Sequence, residues 1–279
     1  MQHGSVPRLV IDARQPAGVV TLAELWQHRD LWWMLAWRDL KVRYRQALVG
    51  MAWAVLRPVA WVLLVSVLFG WMKAVPSSSA NSYAASAFVG LVGWQLFAST
   101  VSDMAESLVR NRHLLTRVYF PRVVIPLASA TVSFVDAFVA LCVGTILWWG
   151  AVSERGWPLC CLPLAVLTVV ACALIAGLFL SVLQAHYRDV GLAVPFILQV
   201  GMWLHPVVYE TRAVIPKPWQ GWYLLNPLSA SLEWLRWSWM SGTAPPVWTL
   251  AVLLVQLASG WLLGWWFFHW LETTLADRI

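Results

Sequence analysis

Nucleotide hydrolysis, metal catalysis and nucleophilic catalysis each need a recognisable spacing of side chains, and the 279-residue sequence contains none of these patterns. Its only lysines are Lys41, Lys73 and Lys217, and none follows the glycine-rich turn of a GxxxxGK[ST] phosphate loop. HExxH, GxSxG and paired-carboxylate motifs are absent, and the six histidines are scattered without ligand spacing. The four cysteines stand in or beside apolar runs without a CxxC spacing, which indicates packing. We therefore predict that the chain is not an enzyme and holds no metal or cofactor of its own.

Charged residues are sparse inside the apolar runs, where a charge facing lipid would cost about 2.5–3.5 kcal/mol. Arg57 precedes a proline early in the first run, and Asp136 lies near the middle of the third. Both side chains should therefore face protein or a polar cavity. For Asp136 we favour a helix-packing hydrogen bond over a functional site. For Arg57, snorkelling and contact with a substrate phosphate remain equal alternatives.

The composition places the chain in the membrane class. Only 11% of its residues are charged and 60% are hydrophobic, whereas soluble domains carry about 25% charged residues. The formal charge of +6 comes from basic residues that flank apolar runs, which indicates membrane orientation and no nucleic-acid partner. The first thirty residues lack the apolar core of a cleavable signal, so the first span is expected to act as the insertion signal.

Apolar runs predict an all-α polytopic membrane protein with six transmembrane helices of about 20 residues or more. The predicted spans are about 49–72, 83–104, 123–149, 159–183, 191–208 and 247–270. A cytoplasmic segment, 1–30, precedes a transmembrane domain that covers 31–279, with an interface helix over 31–47. With a cytoplasmic N-terminus, thirteen of the 19 basic residues face the cytoplasm and five face outward, so both termini are predicted to be cytoplasmic.

Four basic residues occur within eight positions just before the first span: Arg38, Lys41, Arg43 and Arg45. At 100° per residue, one helix face carries apolar side chains and the opposite face carries Arg38, Lys41 and Arg45. The apolar face comprises Trp33, Ala36, Trp37, Leu40, Tyr44, Ala47 and Leu48. This pattern predicts an amphipathic helix on the inner membrane surface. It serves either as a topology anchor alone or also as a contact for a cytoplasmic partner or an anionic lipid substrate.

The loop Glu106–Arg122 mixes basic residues with leucines and ends at a proline. It is predicted to present a short helix to a cytosolic protein, with a solvated basic loop as the alternative. The outer segment Tyr209–Pro246 is rich in aromatic residues and proline, which predicts short helices half-immersed at the outer interface.

The chain contains 22 tryptophans, and an interfacial aromatic belt accounts for most of them. A minority could line a path, since an aromatic face lets a sugar chain slide without fixed hydrogen-bond geometry. Trp61, Trp94, Phe97 and Trp203 are the candidates. Gly260 and Gly264 form a GxxxG pattern that could allow close helix contact in span 6.

Several segments in this order resemble the type 2 ABC exporter permeases that secrete lipid-linked polysaccharides such as O-antigen, capsule and teichoic acid. They are WRDLKVRYRQALVGMAWAVLRP, NRHLLTRVYFPRVVIP, HYRDV, HPVVYETRAVIP with NPLSASLEWLR, and LETTLADRI. The likeness covers nearly the whole chain after about Leu31. One departure is Arg57, where relatives often have glutamine.

The resemblance implies a homodimeric permease in the bacterial inner membrane, with membrane lipids around it and one cytoplasmic ABC ATPase subunit docked on each copy. That subunit would bind ATP and Mg. The implied cargo is a polyprenyl-diphosphate-linked polysaccharide, O-antigen first and capsule next, which would thread through a channel at the dimer centre. Implied ATPase-coupling residues are Arg110, Asn111, Arg112, His113, Leu114, Arg117, Arg38, Lys41 and Arg45. The implied substrate path comprises Arg57, Trp61, Trp94, Phe97, Trp203 and Tyr209, and the outer gate comprises Trp219, Trp222, Trp234 and Trp237.

Other functions remain open at this point. A transferase acting on polyprenyl-linked sugars would need clustered carboxylates or histidines, and an ion-coupled transporter would need mid-membrane charge and internal repeats. A structural membrane subunit is a further alternative, as is an exporter of small lipids or drugs from the same family. An ATPase with a carbohydrate-binding extension would favour the polysaccharide.

Overall fold

The computed structural model describes residues 22–45, 52–71, 80–115, 120–147, 157–240 and 243–275, and these residues form helices and turns without a strand. The helices, in chain order, are α1 Leu22–Gln27, α2 Arg29–Tyr44, α3 Trp53–Trp71, α4 Ala80–Arg110, α5 Arg112–Leu115, α6 Val124–Leu147, α7 Leu162–His186, α8 Val190–Leu204, α9 Thr211–Val214, α10 Lys217–Tyr223, α11 Pro227–Met240 and α12 Val247–Leu275. A short 3₁₀ helix, Trp157–Cys161, precedes α7.

Four of these helices are long and apolar enough to cross a membrane, so the chain is a multipass membrane protein. They are α4, α6, α7 and α12, which correspond to predicted spans 2, 3, 4 and 6. Predicted span 1 corresponds to the 19-residue α3, and predicted span 5 to the 15-residue α8. The crossing of the membrane by α3 and α8 stays a prediction.

α4 is the central helix and packs against α6, α7, α11 and α3. Its first half contributes Phe88 and Val92 to a core shared with α11, whose Leu232 is also fully buried. Its second half contributes Met104 and Leu108 to a separate core shared with the start of α6 and the end of α12. This second core is why α4 continues to Arg110, six residues beyond the predicted end of its apolar run.

α2 packs lengthwise against α6 through Leu35 and Ala36, which are both buried in the second core. The predicted contact of its apolar face with the membrane surface stays a prediction. Trp33 and Trp37 are 63% and 49% exposed and stack on each other, whereas the contact face includes the charged Asp39 and Arg43. The periodicity argument did not anticipate this contact face, because it placed neither Asp39 nor Arg43, and here acidic residues of α4 and α6 pair with Arg43. Ala47 and Leu48 lie outside the described residues.

α8 ends at Leu204 because His205 precedes a proline, which disfavours helical backbone, and His205 is extended. The chain then turns, and α10 runs back so that the Tyr223 hydroxyl donates to the carbonyl of Leu204 at 2.6 Å. α11 starts at Pro227 with Asn226 as its N-cap, whose Oδ1 accepts from the backbone N–H of Leu228 at 3.0 Å.

The connection between α10 and α11 lies deep beside α12. Gln256 Nε2 donates to the carbonyl of Leu225 at 2.8 Å, and Gln256 stands about 14 Å along α12 from its first residue. α11 then runs back toward the start of α4 and the end of α6, where Trp239 Nε1 donates to Thr145 Oγ1 at 3.0 Å. α10 and α11 therefore form a helical hairpin whose turn lies beside Gln256 of α12.

The hairpin corrects part of the prediction for Tyr209–Pro246. α10 is a short helix with Trp219 and Trp222 65% and 72% exposed, and its half-immersion at the outer interface stays a prediction. α11 does not match the expected half-immersed helix, because Trp237 is buried and Leu232 and Leu235 contact Gly93 of α4. In α12, Gly260 and Gly264 both face Ile175 of α7, so the GxxxG pattern does mark a close helix contact.

Candidate functional site

A cluster of charged and polar side chains joins α2 to the end of α4. Arg38 Nη2 donates to Asp39 Oδ1 at 2.8 Å and to Asn111 Oδ1 at 2.7 Å. Arg110 Nη2 lies 3.8 Å from the other oxygen of Asp39. Asn111 is buried, and its amide also donates to the carbonyl of Ser107 at 2.9 Å. Three of the predicted coupling residues, Arg38, Arg110 and Asn111, thus lie in one contact, which fixes the interface helix to the segment that follows α4.

α5 follows directly and presents its charges outward. Arg112 and His113 are exposed, while Leu114 packs partly buried against the second core. Lys41 and Arg45 are exposed on α2, with the Lys41 ammonium 5.3 Å from the centre of the Trp37 ring. Arg117 lies outside the described residues. This combination of exposed cations beside anchored leucines is suited to contact with a second protein.

A second polar network lies further along α2, and sequence reasoning missed its central member. Arg43 Nη2 lies 2.6 Å from Asp103 Oδ2 on α4, and Arg43 Nη1 lies 2.9 Å from Asp136 Oδ2 on α6. Ser133 Oγ donates to Asp103 at 2.9 Å, and the Tyr44 hydroxyl donates to Asp136. Asp136 therefore makes the packing hydrogen bonds that we favoured, but with the interface helix. The sequence features that could have indicated this network are one arginine in the basic cluster and two acidic residues in apolar helices.

The environment of Tyr44 keeps its hydroxyl a donor. Burial first, and then the hydrogen bond to Asp136 and the charge of that carboxylate, raise the pKa of Tyr44 above that of a free tyrosine. The cations of Arg43 and Arg57 act in the opposite direction. Arg57 is itself exposed. At neutral pH the phenol stays protonated and holds α2 to α6.

A cleft of about 410 Å³ opens between α2, α4 and α6 at these two networks. Arg38, Arg43 and Arg110 line it together with Asp39 and Asp103. Each arginine already has an acidic neighbour within 4 Å, so the cleft ties three helices together electrostatically.

The predicted path residues fall into two groups. The ring centres of Trp94 and Phe97 lie 5.6 Å apart. The Trp94 ring centre also lies 5.5 Å from that of His205, and the ring packs against Gly201. They line a mainly apolar cavity of about 430 Å³ between α4, α7, α8 and α12.

Trp61 and Trp203 do not join this cavity and are 38% and 54% exposed on α3 and α8. Tyr209 shares a hydrogen bond of 2.9 Å with the Tyr223 hydroxyl.

A buried arginine holds the turn after α8 to α11, and it too was missed because it stands in an aromatic-rich segment. Arg236 Nη2 donates to the carbonyls of Pro206 at 2.6 Å and Val207 at 3.0 Å. Glu233 Oε1, 3.4 Å from Arg236 Nη1, accepts from the backbone N–H of Thr211 at 2.8 Å. Of the predicted gate residues, Trp234 and Trp237 contact each other edge-on at 5.3 Å within α11, whereas Trp219 and Trp222 lie on α10.

Comparison with known proteins gives a consistent result. A family model described as ABC-2 type transporter matches residues 30–240. The chain is 27% identical over 238 residues to an O-antigen export system permease protein RfbA of Myxococcus xanthus, covering 84% of this chain and 90% of that protein. Two proteins of the same name from Klebsiella pneumoniae are 25% and 24% identical, covering 77% and 76% of this chain and 82% and 81% of theirs. The range matched by the family model runs from α2 to the end of α11.

Proposed function

The chain belongs to the ABC-2 type transporter family, and from this premise we propose that it is the membrane subunit of an ATP-driven exporter of a polyprenyl-diphosphate-linked polysaccharide. It is a transporter subunit rather than an enzyme. O-antigen is the proposed cargo, and the inner membrane is the proposed location. The cargo assignment rests on three relatives named as O-antigen export permeases, each of which aligns with at least 76% of the chain.

We propose that a separate cytoplasmic ABC subunit binds ATP and Mg and docks on α5. Exposed Arg112 and His113 support this site, because they stand next to the anchored Leu114. A movement of α5 would displace α4 directly. It would displace α2 through the hydrogen bond of 2.7 Å from Arg38 Nη2 to Asn111 Oδ1. Lys41 and Arg45, exposed on α2, would extend the same surface.

We propose further that two permease copies form the channel. Trp61 and Trp203 are exposed on α3 and α8, away from Trp94 and Phe97, so a path that uses all four requires a second copy to enclose it. Arg57, also exposed on α3, would then face the cargo's phosphates or the partner copy. The hairpin of α10 and α11, with Trp219, Trp222, Trp234 and Trp237, would close the outer end.

The function is tested in cells that lack this chain and have lost the surface polysaccharide. Restoring the chain together with its ABC subunit is expected to return O-antigen to the cell surface. Restoring it with an ABC subunit unable to hydrolyse ATP is expected to leave the lipid-linked polymer inside. Surface O-antigen that appears without nucleotide hydrolysis would contradict the proposal, and so would rescue of drug or small-lipid export alone.

Reversing the charge of Arg112 is expected to weaken docking of the ABC subunit. Arg112→Glu places an anion at an exposed position of α5, and loss of a favourable charge contact together with a new repulsion costs about tenfold or more in affinity. Co-purification of the two subunits at rising salt measures the effect. Arg112→Lys keeps the charge and serves as the matched control. Equal recovery of the ABC subunit with both variants would place the contact elsewhere.

Orientation is tested with a pair of cysteines in a background without the four native ones. Trp222→Cys, at a position 72% exposed, is expected to react with a membrane-impermeant thiol reagent in cells whose outer layer has been permeabilised. Trp239→Cys, at a position 2% exposed, is expected to react only after denaturation. If the Trp222→Cys variant reacted only after cell lysis, the result would contradict the proposed topology.

A further inference from the structure

The two helices of the hairpin, α10 and α11, enclose a second cleft, here called the hairpin cleft. One wall is the face of α10 that carries Lys217, Gln220 and Gly221, and the opposite wall is the face of α11 that carries Glu233 and Arg236. The turn Glu210–Arg212 and the segment Thr243–Trp248 close its ends. Its volume of about 340 Å³ lies at the lower end of the range for small-ligand sites, about 300–1,000 Å³.

Arg236 supplies hydrogen-bond donors that the described part of the chain leaves unused. Its side chain is 4% exposed, and Nη2 is engaged by the carbonyls of Pro206 and Val207. Nε and Nη1 are buried and make no hydrogen bond within the described residues, although Nη1 lies at ion-pair distance from Glu233. A buried donor without an acceptor costs about 1–3 kcal/mol, so a ligand oxygen or water placed there would be favoured.

The other lining groups restrict what that ligand is. Arg212, Lys217 and Arg236 contribute three positive charges, and Glu210 and Glu233 contribute two negative ones. A phosphate would be attracted by the first group and repelled by the second, and an acyl chain would offer no hydrogen-bond partner to either. A ligand that both donates and accepts hydrogen bonds, without a strong charge of its own, matches this mixture.

Two aromatic side chains complete the cleft. Trp237 lines it from α11, and Trp248, 45% exposed, lines it from the start of α12. An indole offers a flat apolar surface beside polar groups, which suits the C–H face of a pyranose ring while its hydroxyls meet charged side chains. Gly221 leaves open space within 4 Å of where a side chain would begin, so the cleft is accessible from α10.

We propose that the hairpin cleft binds a single uncharged sugar residue of a glycan. The proposal deepens the export function and rests on it, because it makes the hairpin a place where the polysaccharide is held as it passes. In this arrangement Arg236 and Lys217 donate to sugar hydroxyls, Glu233 accepts from them, and Trp248 covers one face of the ring.

The test is saturation-transfer difference NMR on the purified full chain in nanodiscs. The probes are the methyl glycosides of mannose, galactose, N-acetylglucosamine and glucuronic acid, with inorganic phosphate as competitor. At least one neutral glycoside is expected to bind and to resist displacement by phosphate. Gly221→Leu adds a bulky side chain at a residue that lines the cleft, where the added Cβ meets no atom within 4 Å, and is expected to weaken binding at least about tenfold. Trp248→Ala, at a half-exposed position, is expected to weaken it as well.

Ala258→Leu is the matched control, because it adds the same side chain at an exposed position of α12 outside the cleft. The proposal fails if no neutral glycoside binds the unaltered chain, if Gly221→Leu and Ala258→Leu bind equally, or if phosphate binds in place of the sugar. Export of O-antigen to the cell surface is measured separately. Export that persists while no glycoside binds removes the cleft proposal and leaves the export function standing.

Discussion

Replacing Arg43 by methionine is expected to lower the free energy of unfolding by about 2 kcal/mol, which corresponds to about 4–8 °C in the unfolding midpoint. The variant leaves Asp103 and Asp136 without the cation that lies 2.6 Å and 2.9 Å from them. Removal of one partner of a fully buried ion pair costs about 3–5 kcal/mol. The expected loss is smaller because the Arg43 side chain is 34% exposed to solvent.

Arg29→Met is the matched control for this experiment. It makes the same change on the same helix, where Arg29 lies 3.8 Å from the almost fully exposed Asp30, and it should cost less than about 1 kcal/mol. A second comparison combines Arg43→Met with Asp103→Asn and Asp136→Asn, which removes the unpaired charges and should recover part of the lost stability. Equal midpoints for Arg43→Met and Arg29→Met would show that the network does not hold α2 in place.

Gly90→Ala is expected to have the larger effect. It should lower the free energy of unfolding by about 3 kcal/mol or more and abolish export. A Cβ at Gly90 would lie 2.0 Å from the carbonyl oxygen of Val207 and 2.8 Å from Nη2 of Arg236. The carbonyl belongs to the backbone and has no rotamer that avoids the clash. The turn after α8 must therefore move away from α4, which breaks the hydrogen bonds from Arg236 to Pro206 and Val207.

Gly264→Ala provides the comparison, since its added Cβ would lie 3.7 Å from the carbonyl oxygen of Ile175, an ordinary contact. In that variant we expect the free energy of unfolding to change by less than about 1 kcal/mol, because the helix propensity of alanine offsets slight crowding. Thermal unfolding of the purified proteins and surface O-antigen in cells measure the two consequences. A Gly90→Ala protein that unfolds at the unaltered midpoint would mean that the turn does not rest on α4.

The sequence was a good guide where a single helix sets the environment of a residue. Hydropathy located α4, α6, α7 and α12, and the basic loop does place Arg112 at an exposed position, although its contact with a partner stays a prediction. The contact between Arg38 and Asn111 joins the interface helix to the loop after α4, and each of these segments was predicted separately to contact the ATPase subunit. Their proximity followed from placing both at the same membrane face.

The sequence was a poor guide where partners come from distant segments. Arg43 resembles its basic neighbours on α2, and only the arrival of Asp103 and Asp136 from two other helices distinguishes it. Arg236 and Trp237 lie in a segment whose composition suits an interface, yet α11 is buried because the glycines of α4 admit it. Such contacts depend on how helices are arranged, which periodicity along one helix does not record.

The shortness of α8 has a consequence for the cargo. Its 15 residues extend about 22 Å, whereas the hydrocarbon layer of a bilayer is about 30 Å thick. If α8 crosses the membrane as predicted, the missing length would be made up by the turn after His205 and by the hairpin, which would bring Glu210, Thr211 and Arg236 to the depth of the lipid tails. A hydrated polymer leaving along this side would then meet polar side chains several ångströms before the end of the hydrocarbon layer, so the apolar distance over which its hydroxyls lose water would be correspondingly shorter.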